Sequence, residues 1–214
     1  FKTLGEFHMK STIQWVFLLG FATVAQAGLQ TRDIEYTQNG TTLKGYLAYD
    51  DAVKGKRPGI LVVHEWWGHN EHARDRARML AEIGYTALAV DMYGNGKTAD
   101  HPEKAGEFMS AAFKNWEISR ARFNKAKELL QSQKTVDPER IGAIGFCFGG
   151  AVSIRMARGG ADLDGIVAFH SALPLEPAIT NMKASVLVIN GSKDAFLKPE
   201  VVGTFSSQMN QKTK

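Results

Sequence analysis

The 214 residues include a single cysteine, Cys147. No intrachain disulfide can form, so the fold must hold by packing alone and the thiol is free for chemistry. There is also no block of Lys and Arg. The 26 basic residues are interspersed with 22 acidic ones, and a formal charge of +4 is too small an excess to point to nucleic acid. No apolar run reaches the about 20 residues that a membrane span needs, and repeats, low-complexity tracts and interdomain linkers are lacking. What is present is an ordinary globular composition, 44% hydrophobic, 22% charged and 10% aromatic. That excludes disorder, collagen and coiled coil and fits one compact domain.

The amino end reads differently from the rest. From Met9 come Lys10, an apolar run from Ile13 to Val24 interrupted only by Gln14 and Thr23, and then Ala25-Gln26-Ala27. A positive start, a short apolar segment and an A-x-A end form the pattern of an export signal. Residues 1–27 are therefore expected to be a signal peptide with an upstream extension, 1–8. Residues 28–214 are expected to be the folded domain, periplasmic or secreted and free of the membrane after cleavage. Oxidising compartments favour paired cysteines, so an exported Cys147 is expected to be either well buried or needed.

In the remaining chain, Thr42–Tyr49 has β character and Asp50–Pro58 reads as a polar turn, an edge-type antiparallel start. Near-continuous apolar runs follow at 59–63, 85–90, 141–146, 165–169 and 186–189, as expected of buried parallel strands. Helical segments lie between them at 71–83, about 102–132, 149–158 and 199–209. The alternation predicts an α/β fold, a mostly parallel sheet with helices on both faces and its site at the carboxyl ends of the strands.

The segment Gly145-Phe-Cys147-Phe-Gly149-Gly150 stands between a predicted strand and a predicted helix. In a nucleophile elbow, a side chain on a strained strand-to-helix turn projects above the sheet, and small neighbours leave room for the backbone. The positive end of the helix favours thiolate, and the N–H of Phe148 can face an oxyanion. A lone cysteine is ordinarily a small buried hydrophobe, but the strand, glycine and helix context favours a nucleophile. A nucleotide-binding loop fails on spacing, because these glycines do not make G-x-G-x-x-G.

With Cys147 read in this way, the sequence resembles the dienelactone hydrolase family, cysteine-dependent members of the α/β-hydrolase fold. The resemblance rests on Gly145–Gly150, His64-Glu-Trp-Trp-Gly68, Val90-Asp-Met-Tyr-Gly94 and Asn190-Gly-Ser-Lys-Asp194. It implies cofactor-free ester or lactone hydrolysis through a Cys, Asp, His triad. Asp194 becomes the triad acid, Glu65 the glutamate that contacts the resting thiol, and the Trp66 N–H a second oxyanion donor beside Phe148. Trp67 and Lys97 are candidates for substrate contact. Family arginines bind the substrate carboxylate, and where one is expected, after the fourth strand, this sequence offers Lys97 and Lys104 and no arginine, which weakens dienelactone itself as the substrate.

The resemblance also places the triad histidine after Asp194, where this sequence has none. That histidine, with the final strand and helix, is expected beyond Lys214. His170 follows the sixth strand but is out of order for the role. His64-Glu65 with His69 and His72 lacks the H-E-x-x-H spacing of a zinc helix, so no metal is expected. The arginines 74, 76 and 78 with Asp75 read as a solvated helix face. The expected function is an exported carboxylic ester hydrolase, carboxymethylenebutenolidase-like, acting on a small ester or lactone. The competing readings are an inactive binding protein of the same fold and a redox-sensing thiol protein.

Overall fold

The computed structural model describes residues 28–179, 181–194 and 197–211. The export signal expected at 9–27 lies outside them. A seven-stranded sheet runs in the order β1-β2-β4-β3-β5-β6-β7. Strands β1 (Leu29–Gln38) and β2 (Thr41–Asp50) are antiparallel. The strands β3 (Arg57–Val63), β4 (Thr86–Val90), β5 (Val136–Phe146), β6 (Gly165–Phe169) and β7 (Ser185–Ile189) pair in parallel with one another.

The five apolar runs of the sequence all become these parallel strands. β1 was not expected. Its residues LQTRDIEYTQ are mostly exposed, and only Tyr36 among them is buried, so no apolar run marks it. It pairs with β2 through a two-residue turn in which Asn39 and Gly40 both have positive φ, 46° and 75°. Asn-Gly favours that geometry because each tolerates the left-handed region. β2 is consequently an inner strand, paired also with β4.

Helices cover both faces. On one side α1 (Glu71–Glu82) turns Ala73, Ala77 and Ala81 to the sheet, at helical spacing, against Ala48, Ala87, Ala89 and Val62. Small side chains on both partners permit a close approach. On the other side lie α2 (Pro102–Lys114), α3 (Trp116–Gln131), α4 (Phe148–Arg158) and α5 (Pro199–Gln211). The main core there joins Leu61, Leu88, Phe123, Leu130 and Phe148, and a smaller cluster seats α5 through Phe205 against Ile154 and Ala168.

The single helix expected over 102–132 is broken at Asn115, whose φ and ψ of −103° and 53° leave the helical region.

Candidate active site

β5 ends at Phe146, α4 begins at Phe148, and Cys147 is the whole turn between them. Its φ of 52° and ψ of −112° lie outside the ordinary regions for a residue with a side chain, a strain of about 1–3 kcal/mol that the surroundings must hold. The glycines make it feasible. A Cβ on Gly145 would stand 2.2 Å from the Gly149 carbonyl carbon, and one on Gly149 would stand 2.2 Å from the Val63 oxygen. Helix and strand therefore approach at backbone distance on both sides of the thiol.

Four strand ends supply the rest. After β3, Glu65, Trp66 and Trp67 form a half-buried loop. The N–H groups of Phe148 and Trp66 both face the sulfur and favour its thiolate. Burial opposes them and is the larger effect, and the carboxylates of Glu65 and Asp194 push the same way. The thiol is therefore held above its usual range. Helix position alone suggested a thiolate, and the structure reverses that expectation because desolvation and two nearby carboxylates outweigh two amides.

After β4, buried Asp91 gathers the loop. Its carboxylate accepts hydrogen bonds from the backbone N–H groups of Lys44, Tyr93, Gly94 and Gly96. This fixes Tyr93, whose hydroxyl donates to the Trp66 carbonyl at 3.0 Å. Lys97 lies farther along, over the Phe108 ring at 5.9 Å, in a hollow of about 200 Å³ that it lines with Tyr93 and Phe108. Trp67 packs edge-on against Trp66 at 5.0 Å.

The third and fourth contributions come from β6 and β7, which end at one level because Phe169 and Ile189 are paired. His170, in the left-handed region with φ 49°, follows β6. Its Nδ1 lies 2.8 Å from Asp194 Oδ2, and the Asp194 side chain is only 6% exposed. Cys147 N–H donates to the Phe169 carbonyl at 2.9 Å, so the thiol turn and His170 are neighbours across one hydrogen bond. Chain order argued against His170. Parallel pairing, invisible in that order, carries it to the acid.

His72 and His64 have structural partners. His72 stands edge-on to Phe146 at 5.1 Å and 3.9 Å from Glu65. His64 is enclosed, with both ring nitrogens engaged by backbone groups. His69 is buried and held neutral, its proton affinity lowered to about 4 mainly by desolvation. A larger hollow of about 810 Å³ lies away from the thiol, between α3 and α4 beside Trp116, Arg155 and Glu176.

A strained turn that lifts a nucleophile over the carboxyl edge of a sheet in this strand order defines the α/β-hydrolase class. The model of the dienelactone hydrolase family matches residues 43–214. The protein usf of Aquifex pyrophilus is 32% identical over 179 residues, which cover 79% of this chain and 74% of that protein. A protein of Aquifex aeolicus with the provisional name carboxymethylenebutenolidase is 30% identical over 177 residues, again 79% and 74%. A dienelactone hydrolase-like promiscuous phosphotriesterase from metagenomic libraries superposes with a TM-score of 0.83 at 34% identity, covering 87% of this chain and 78% of that one. The chain belongs to the dienelactone hydrolase family and is a hydrolase.

Proposed function

We propose that this hydrolase cleaves an ester or lactone through an acyl thioester on Cys147. The observation that carries the reading is the thiol on its strained turn with two backbone N–H groups facing it. Imidazole takes the thiol proton, the thiolate attacks the carbonyl carbon, and the oxyanion that forms collects the N–H groups of Phe148 and Trp66. Collapse of that adduct breaks the bond to the alkoxide, which takes that proton from the imidazolium. Water, deprotonated by the same imidazole, then releases the acid and restores the thiol.

Asp194 orients that imidazole. His170 is the histidine standing on it among the described residues, which favours His170 as the proton carrier, although the family pattern places that group after the acid. Glu65 acts on the resting thiol through its charge. Trp67 and Lys97 are proposed to contact substrate. The names of the relatives support a small ester or lactone.

Hydrolysis of p-nitrophenyl acetate tests the reading. Cys147→Ala and alkylation of the wild type should each abolish turnover. Activity that survives both removes the cysteine from the mechanism. His170→Gln should lower turnover by about 10²-fold or more, whereas an unchanged rate assigns the proton carrier elsewhere. The segment 9–27 supports export, for which the sequenced amino terminus of the mature protein should be Gly28.

A further inference from the structure

His64 is 1% exposed and directly follows β3. Its Nδ1 meets the Glu65 carbonyl oxygen, and its Nε2 lies 3.3 Å from the Met92 backbone nitrogen. A carbonyl can only accept and an amide N–H can only donate, so these partners assign the proton to Nδ1 and the lone pair to Nε2. The neutral tautomer satisfies both, and burial, which holds the ring's proton affinity below its usual value, keeps it neutral.

The carbonyl of Glu65 and the N–H of Trp66 belong to one planar peptide group and point in opposite directions. Whatever pins the oxygen therefore aims the N–H. A donor at the oxygen also polarises the amide and strengthens its N–H as a donor. Gly68 N–H reaches the same oxygen at 3.2 Å, and the Tyr93 hydroxyl holds the next carbonyl, that of Trp66. The His64 ring lies nearly parallel to Phe148, with centroids 5.7 Å apart and planes at 27°, and its edge contact with Tyr93 is 4.8 Å. One imidazole thus touches the residue that donates one oxyanion N–H and grips the peptide that donates the other.

We propose that His64 is the positioning residue of the oxyanion hole, its Nδ1–H aiming and polarising the Trp66 N–H through the Glu65–Trp66 peptide. The proposal rests on the reading of Cys147 as nucleophile and of these two amides as its oxyanion donors. It gives a polar role to a histidine that packing alone would not need, since a phenyl ring fills similar space without grasping the peptide.

Two reactions of the same sulfur separate aiming from packing. Acylation by p-nitrophenyl acetate builds an oxyanion in the hole. Alkylation by iodoacetamide displaces iodide at a methylene carbon and builds none. In His64→Phe, acylation followed by the burst of p-nitrophenolate should slow by about 10²-fold, the scale of one lost oxyanion donor, while the alkylation rate at its high-pH plateau stays within about twofold. His64→Asn, whose side-chain amide nitrogen can occupy the Nδ1 position, should recover most of the acylation rate. His64→Gln can reach Met92 but not Glu65 and should resemble His64→Phe, and it carries the comparison if the phenyl ring is not accommodated.

Acylation at the wild-type rate in His64→Phe or His64→Gln overturns the proposal. Alkylation falling in step with acylation does so too, because it means that the site has collapsed, as does His64→Asn performing no better than His64→Gln. Persistence of the burst in Cys147→Ala is a different result, since it removes the nucleophile reading itself.

Discussion

Acid should weaken this protein through His69, by an amount that the structure allows to be worked out. The ring is 6% exposed, and its buried Nε2 has no hydrogen-bond partner. Protonation there would bury a charged N–H with no acceptor, near Arg74, whose charge also disfavours it. Folding thus holds the proton affinity at about 4, against 6.5 for the exposed side chain. Above pH 6.5 neither the folded nor the unfolded ring is protonated, and the stability is complete. As the pH falls from 6.5 towards 4, the unfolded chain takes up a proton that the folded one refuses, and stability drains away. At about 1.4 kcal/mol per decade of proton affinity, the full descent costs about 3 kcal/mol. The assay is urea unfolding of the wild type and of His69→Leu at intervals from pH 7 to pH 4. The wild type should lose about 3 kcal/mol more than the variant over that range, because the other titrating groups are common to both. Parallel curves would refute the reasoning.

Three further outcomes follow from the site and its supports. Gly149→Ala should lower stability by about 3 kcal/mol or more and abolish turnover, because its Cβ would meet the Val63 carbonyl oxygen; thermal melting and an ester assay check both, and a native melting temperature would contradict the packing described. Glu65→Gln removes a charge that raises the Cys147 proton affinity, so the midpoint of the alkylation rate against pH should move downward and alkylation at pH 7 should quicken, by about tenfold if the midpoint moves one unit. Arg158 is fully buried and donates to the Pro177 carbonyl, the Leu175 carbonyl and Gln208. Arg158→Ala should cost about 3 kcal/mol in chemical denaturation, because three part-buried acceptors lose their donor.

Much of this organisation can be read from the chain before any coordinates. Buried parallel strands leave continuous apolar runs, so β3 to β7 announce themselves, and the elbow is legible because Gly145 and Gly149 are required by contacts that no Cβ survives. β1 escaped notice because an exposed outer strand need not be apolar. Asn39-Gly40, the strongest short hairpin signal, was its one trace. The break at Asn115 has no proline or glycine to mark it.

At the site, the missing information is tertiary. His170 reaches Asp194 because β6 and β7 end together. His64 matters through the orientation of a peptide plane, and no pattern of residue types encodes that orientation. The elevated proton affinity of Cys147 depends on burial and on two carboxylates from different loops, whereas its place at a helix start, the one feature visible in sequence, pointed the opposite way.

The most direct measurement is mass spectrometry of the protein quenched in acid during turnover of a slowly deacylating aryl ester. The account predicts a single acyl adduct on the peptide containing Cys147, cleaved by hydroxylamine as a thioester is and missing from Cys147→Ala. Undiminished turnover with no adduct on that peptide, or an adduct on another side chain, would contradict it.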